Sequence, residues 1–303
     1  MIWLTLFLLL AVLAAAPFVM ERCRALPDTL QAPGRFASLS DGDTHYQWHG
    51  PTRGPVAVCV HGLTTPSHVW AGTIEGLTRM GFRVLSYDHY GRGYSASVHA
   101  PHDRALYLRQ LRDLLQDQAV EGDITLLGYS MGGQVATAFA AEDPSRVERL
   151  ILVTPAGFGV TTGALDRLIF RGGYPARWLQ YLTGPQVMRR AARDHKRRGL
   201  LDSTEQYYAD CRRRGLHPAI VSAIGHLLSN DAAEDMRELR EQGVPVLALW
   251  GAQDAVIPQS APGAMAQANQ DVCHKTWQEG DHMLPLSHAK EMAAEIQRFL
   301  REQ

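Results

Sequence analysis

The chain has 303 residues, 46% of them hydrophobic and 20% charged, and a formal net charge of −1. That composition belongs to a packed globular protein and excludes a disordered one. Thirty basic against thirty-one acidic side chains leave no global field for a polyanion, which sets a nucleic-acid partner aside.

The first twenty residues, MIWLTLFLLLAVLAAAPFVM, carry no charge and a single polar side chain, Thr5. As a helix rising about 1.5 Å per residue they cover about 30 Å, the depth of one bilayer core. Residues 1–21 are therefore expected to be a membrane anchor, and Pro17 is tolerable near the end of such a helix. The competing reading is a cleaved signal segment with Ala14 and Ala16 before the cut, which would send the protein to the periplasm or outside the cell. No Lys or Arg precedes the run, however, and Pro17 would follow the cut directly. Arg22 and Arg24 after the run favour a cytoplasmic side for the rest of the chain.

A polar linker from Arg22 to Arg35 leads into alternating strand-like and helix-like segments, the pattern of a mostly parallel sheet covered by helices. Phe36 to Ser40 and His45 to His49 read as an opening hairpin. Val56 to Val60, Phe82 to Tyr87, Asp123 to Gly128, Val147 to Val153, Val244 to Trp250 and Val272 to Gln278 read as strands. His68 to Arg79, Asp103 to Gln118 and His288 to Leu300 carry apolar residues at helical spacing. The four cysteines, Cys23, Cys59, Cys211 and Cys273, stand apart with no zinc-ligand spacing and read as separate thiols. Between Gly157 and about Asp231 the strands stop and Gly-punctuated helical pieces follow, too long a stretch for a bare loop. Residues 158–231 are thus expected to be an inserted helical cap, with 22–157 and 232–303 forming the core. The cap holds eleven arginines, from Arg167 through Arg214, and Lys196, against Asp166, Asp194, Asp202, Glu205 and Asp210.

The sharpest motif is Gly128-Tyr129-Ser130-Met131-Gly132, directly after the strand DITLL and before the helical run QVATAFAAE. A G-x-S-x-G in that setting is a tight strand-to-helix turn that exposes the serine hydroxyl, its glycines sparing the reversal from side-chain collisions. A serine nucleophile needs a base, itself oriented by an acid. Downstream, Asp254 follows the strand VPVLALW, and His282 follows the last strand in Glu279-Gly280-Asp281-His282. Asp281 is the rival acid, but neighbours in an extended loop point apart. His61 is a rival base that precedes the serine, and His288 reads as a solvated residue near the last helix. A tetrahedral intermediate also needs backbone donors. Met131 N–H supplies one, and Leu63 N–H in the loop His61-Gly62-Leu63 is the candidate for the other. Asp88 to Ser95 lacks the glycine spacing or lysine of a phosphate loop and reads as structural.

Taken together, VHGLTTPSHVW, YDHYGRGYS, LLGYSMGGQVA, LWGAQDAVIP and EGDHMLPLSH resemble the α/β-hydrolase superfamily, in its usual order from about residue 36 to the carboxyl terminus. Within it the chain resembles serine esterases and monoacylglycerol lipases, some of which carry an amino-terminal membrane helix. Serine at position 130 departs from the relatives that use aspartate as nucleophile, the haloalkane dehalogenases and epoxide hydrolases. The resemblance implies an α/β-hydrolase fold with an inserted cap, no cofactor and no metal. It also implies a small-molecule ester or lipid substrate. Leu165, Leu168, Ile169, Phe170, Trp178, Leu179, Tyr181 and Leu182 of the cap are candidates either for lining an apolar acyl site or for packing the cap onto the core. The cap arginines are candidates for a membrane surface. The same triad also serves C–C bond hydrolases, acyltransferases and cofactor-free haloperoxidases, and the fold can serve as a non-catalytic binding module.

Overall fold

In the computed structural model, which describes residues 2–161, 168 and 172–302, the expected hairpin forms as β1 (Arg35–Leu39) paired antiparallel with β2 (Gly42–His49). Strands β3 (Val56–Val60), β4 (Arg83–Tyr87), β5 (Ile124–Tyr129), β6 (Val147–Val153), β7 (Val246–Gly251) and β8 (Cys273–Trp277) run parallel to one another. The order across the sheet is β1-β2-β4-β3-β5-β6-β7-β8. The central strands are unbroken apolar runs because both of their faces are covered. Period-two alternation splits them between two cores. Val58, Val60, Leu126, Leu150, Leu152 and Ala248 pack with residues of α3 (Arg104–Asp117), α4 (Met131–Glu142), α8 (Ala233–Glu241) and α9 (Ala261–Ala268). Ala57, Cys59, Leu127, Ile151, Val153, Leu247 and Leu249 pack with α2 (Ala71–Arg79), α10 (Leu284–Ser287) and α11 (Ala289–Glu302). This is the α/β-hydrolase arrangement.

Two helices differ from the sequence reading in detail. The segment before α2 begins as a 3₁₀ turn, Ser67–Trp70, where the Ser67 N–H is held by Asp88 Oδ1 at 2.9 Å. The carboxyl-terminal helical stretch breaks at His288, whose ring packs on Trp277 at 5.8 Å and whose Nδ1 meets Ser287 Oγ at 2.8 Å.

Between β6 and α8 lie α5 (Gly173–Arg197), α6 (Glu205–Arg212) and α7 (Leu216–His226). Asp166, Arg167 and Arg171 lie outside the described residues. Part of the remaining basic surplus is engaged within the fold. Arg213 is buried, Arg198 pairs with Asp281 at 2.6 Å and Arg197 with Asp194 at 2.9 Å. At the amino terminus a single apolar helix, α1 (Ile2–Arg22), stands largely exposed. Its most apolar 18-residue stretch has a mean hydropathy of 2.5 and is 6% buried.

The sheet order places β4 on one side of β3 and β5 on the other. A crevice opens where strand order reverses, at the carboxyl ends of β3 and β5, and this is where ligands bind in such sheets.

Candidate active site

At the end of β5 the chain reverses over Ser130, whose φ of 52° and ψ of −119° lie in a region that side-chain-bearing residues seldom adopt. Three backbone hydrogen bonds hold that strained turn. Ser130 N–H donates to Val153 O at 3.0 Å, and Ser130 O accepts from Gly133 N–H and Ala156 N–H, both at 2.9 Å. Gly132 is obligatory, since a Cβ there would lie 2.2 Å from Val60 O and 2.4 Å from His61 O.

The side chains drawn from β5, the loop after β7 and the loop after β8 converge. His282 Nε2 lies 3.0 Å from Ser130 Oγ, and His282 Nδ1 lies 2.8 Å from Asp254 Oδ2. The second Asp254 oxygen, Oδ1, accepts from Val256 N–H at 2.7 Å and Ile257 N–H at 2.8 Å, so the carboxylate is fixed in orientation and its side chain is only 3% exposed. A carboxylate on Nδ1 selects the tautomer protonated there and leaves the Nε2 lone pair for the serine proton. Asp281 turns away, its Oδ2 on Arg198 and its Oδ1 accepting from Met283 N–H at 2.9 Å. Both ring nitrogens of His61 are likewise engaged away from the serine hydroxyl. The ring is buried, its Nδ1 at 2.8 Å from Gly62 O and its Nε2 accepting from His89 N–H at 2.9 Å, and burial lowers it to about 4.

The loop after β3 runs against Ser130. A Cβ on Gly62 would come within 3.3 Å of Ser130 Cβ and 3.1 Å of the Tyr129 ring, so a side chain there would crowd both neighbours. Among the described residues, neither Leu63 N–H nor Met131 N–H has a hydrogen-bond acceptor, and Met131 is the first residue of α4, where an N–H is left unpaired by the helix itself.

Sequence reasoning missed what braces this loop. Arg92, in the stretch read as merely structural, is fully buried. Its Nε–H donates to Leu63 O at 3.2 Å, and Nη1 donates to Tyr90 O at 3.0 Å and Tyr107 Oη at 2.9 Å. Nη2 reaches Ala219 O of α7 at 3.4 Å. The loop that carries Arg92 is held in turn by Asp88, which accepts from Ser67 N–H at 2.9 Å, Tyr94 N–H at 3.0 Å and His45 Nδ1 at 2.8 Å. Burial alone would raise the Asp88 carboxyl, but the His45 hydrogen bond and charge outweigh it and hold it well below the usual carboxylate range. The clue in the sequence was the cluster of glycines and charges in DHYGRGYS, whose partners are far away in the chain.

A cavity of about 440 Å³ opens over Ser130 and His282, walled by Leu63, Tyr129, Val160, Val187, Ile224, Leu228, Val256, Ile257 and Met283, with Thr64, Thr65 and Thr161 as polar points. No Lys, Arg, Asp or Glu is among its described lining residues. Its helical wall is therefore Val187 of α5 and Ile224 of α7. Trp178 and Tyr181, expected to line it, face α1 instead, Tyr181 meeting the Phe18 ring edge-on and the Trp178 indole N–H donating to Leu13 O. Leu168, Leu179 and Leu182 are not in its lining either, and Leu165, Ile169 and Phe170 lie outside the described residues.

The chain belongs to the alpha/beta hydrolase fold family, whose model matches residues 55–289. It is 26% identical over 293 residues to a 2-hydroxy-6-oxononadienedioate/2-hydroxy-6-oxononatrienedioate hydrolase of Paraburkholderia xenovorans, a match spanning 90% of this chain and 96% of that one. To a pimeloyl-[acyl-carrier protein] methyl ester esterase of Nitrosomonas europaea it is 29% identical over 224 residues, 71% of this chain and 83% of that one. An uncharacterized protein of Mycobacterium tuberculosis is 38% identical over 115 residues, and there the match spans 33% of the relative's length. Among solved structures, the enol-lactonase from Burkholderia xenovorans LB400 superposes with a TM-score of 0.74 at 20% identity, over 88% of this chain and 100% of that one. At that identity the likeness is one of fold.

Proposed function

We propose that this chain is a serine hydrolase of uncharged carboxylic esters with an apolar acyl group, such as a monoacylglycerol-like lipid, acting through an acyl-enzyme on Ser130. The observation that carries the reading is the hydrogen-bonded line Ser130–His282–Asp254 opening into an apolar cavity without a charged wall among its described residues. In this mechanism Ser130 Oγ attacks the ester carbonyl carbon while His282 Nε2 takes its proton, and Asp254 stabilises the imidazolium. The carbonyl oxygen becomes an oxyanion between the Leu63 and Met131 N–H groups. Collapse of the tetrahedral intermediate breaks the C–O bond, and the departing alkoxide leaves as an alcohol with the proton from His282. Water then attacks the acyl-enzyme with His282 as base, and the carboxylic acid is released.

The esterase relative from Nitrosomonas europaea supports ester cleavage. The Paraburkholderia relative favours a second reading, C–C bond cleavage by the same side chains. The name of that enzyme's substrate describes a dioate, with two carboxylates that a buried site must neutralise. The described wall of this cavity has no cation for them, which weighs toward the neutral ester. Acyl transfer and a binding role without catalysis rank lower, since the latter requires none of this alignment. Residues 158–231 are read as a lid over this site, and α1 as a retained membrane anchor with the catalytic domain on the cytoplasmic side. Its length, hydropathy and exposed surface support the anchor.

A fluorophosphonate probe should label the protein at Ser130, and the protein should hydrolyse neutral esters faster than dianionic ring-cleavage products. Absence of labelling removes the serine mechanism. Labelling with a preference for the dianionic substrates replaces esterase by C–C hydrolase.

A further inference from the structure

Pro17 leaves a gap in α1. In an α-helix the carbonyl of residue 13 accepts from the N–H of residue 17, and proline has none. The Leu13 carbonyl is instead met by the indole N–H of Trp178, on α5, at 3.0 Å. One residue on, Ala14 O accepts from Tyr174 Oη at 2.5 Å. The Phe18 ring stacks on Tyr174 at 4.9 Å and meets Tyr181 edge-on at 5.3 Å, with the Arg177 guanidinium 5.9 Å from its centroid. At the end of the helix the same contact continues in polar form. Glu21, 5% exposed, pairs with Arg24 at 2.6 Å and accepts from Gly215 N–H at 2.9 Å, while Arg24 donates to Tyr181 O at 3.0 Å.

The depth of this contact follows from helix geometry. If α1 crosses the bilayer, its charged end at Arg22 marks the surface. Phe18 then lies about 6 Å and Leu13 about 13 Å inside that end. Tyr174 and Trp178 touch α1 over that interval, in the boundary between headgroups and acyl chains where aromatic residues with one polar end collect. Arg177 has a stem long enough to carry its charge back to the headgroups. An unmet carbonyl at this depth costs several kcal/mol, so the indole N–H is needed most where water is absent.

We infer that the opening turns of α5 are a membrane-contact surface whose partner is the lipid bilayer holding α1, and that Trp178 closes the backbone gap made by Pro17. This rests on the reading of α1 as an anchor. The consequence for the site is direct. Val187, on the same helix and about 14 Å beyond Trp178, walls the cavity over Ser130. One helix, which carries Pro185 in its interior, thus runs from the bilayer to the acyl cavity, which places the mouth of the site within reach of an ester drawn from the membrane.

The test uses the full chain in phosphatidylcholine vesicles containing phosphatidylglycerol, with Cys23→Ser and Cys273→Ser removing the exposed thiols. A nitrobenzoxadiazole label is placed at one position at a time through Leu6→Cys on α1, Pro175→Cys on α5 or Glu234→Cys on α8. Lipids carrying a spin label high on the acyl chain should quench the labels at 6 and 175 and spare the one at 234. Quenching at 6 but not at 175 overturns the contact surface and leaves the anchor. Quenching at neither removes the anchor and this inference with it, and equal quenching at all three denies α5 any special place. Separately, Trp178→Phe should lower the unfolding temperature of the vesicle-bound protein by a few degrees. In a Pro17→Ala background, where residue 17 supplies its own N–H, most of that loss should vanish. An equal loss in both backgrounds overturns the role given to Trp178.

Discussion

Arg92 donates from Nε to the carbonyl of Leu63 at 3.2 Å, so a guanidinium with no solvent exposure and no ion-pair partner among the described residues steadies the loop that faces Ser130. Its partners are neutral: two carbonyls in the core, one in α7, a tyrosine hydroxyl and His102 Nδ1 at 3.2 Å. The planar fork reaches several of these at once, which a lysine ammonium does not. Arg92→Lys should therefore lower kcat by roughly 10- to 100-fold, less than the roughly 100- to 1,000-fold of losing an oxyanion donor outright because the Leu63 N–H is loosened rather than removed, with a smaller change in KM. Steady-state kinetics on a soluble ester check this, and an unchanged kcat in a stably folded variant would count against the bracing role.

Ser130→Ala and His282→Ala should each reduce kcat by about four to six orders of magnitude while leaving the fold intact, and combining them should add little, because the two act as one unit. Asp254→Asn should come close to that loss through the wrong imidazole tautomer. Asp281→Asn should cost far less, since its carboxylate holds Arg198 and Met283 N–H rather than His282. A reversed order for the two aspartates, measured side by side, rejects Asp254 as the orienting acid.

Val187→Trp should shorten the range of acyl chains accepted. Val187 is 60% exposed yet lines the cavity, so it has room for a larger side chain without crowding the core. An indole there fills part of the 440 Å³, and kcat/KM for long acyl esters should fall by at least about 10-fold relative to acetate esters, the loss of roughly two buried methylenes. A chain-length profile identical to the parent's would place the acyl group elsewhere.

Four histidines should make the fold sensitive to mild acid. Burial lowers His61 and His217 to about 4, and lowers His89 and His102 further still. Below pH of about 6.5 the unfolded chain takes up a proton at each position and the folded chain does not. Their contribution is thus complete above that pH and is lost as pH falls toward 4. By pH 5 the loss is on the order of 2 kcal/mol each for His61 and His217. His45 runs the other way. Burial lowers it but Asp88 outweighs burial and raises it, so its contribution is complete below about 6.5 and is lost as pH rises through the raised value. Burial lowers His49, His195 and His274 as well, so the lowered histidines outnumber the raised His45, Glu21 and Asp210, and the unfolding temperature should drop by many degrees between pH 7 and pH 5. A flat or rising profile by calorimetry contradicts the neutral burial of these rings.

Local pattern carried the sheet and the order of the site. Val56–Val60 and Ile124–Tyr129 are strands because apolar, β-branched runs of that length fit only a sheet buried on both faces. The glycines around Ser130 mark a turn that no side chain tolerates, and Asp254 and His282 stand just past strand ends. Contacts between residues distant in the chain were decided only in the tertiary structure. Arg92 and Ala219 are 127 positions apart, and Trp178 and Leu13 are 165 apart. Nothing in the periodicity of α5 distinguishes the face holding Trp178 and Tyr181 from the residue, Val187, that walls the cavity, since all are apolar or aromatic side chains on one helix. Which of them meets α1 and which walls the cavity depends on how the helix is set down on its neighbours. Hydrophobicity drives all of them out of water alike, and only the packing of the whole chain assigns each a partner.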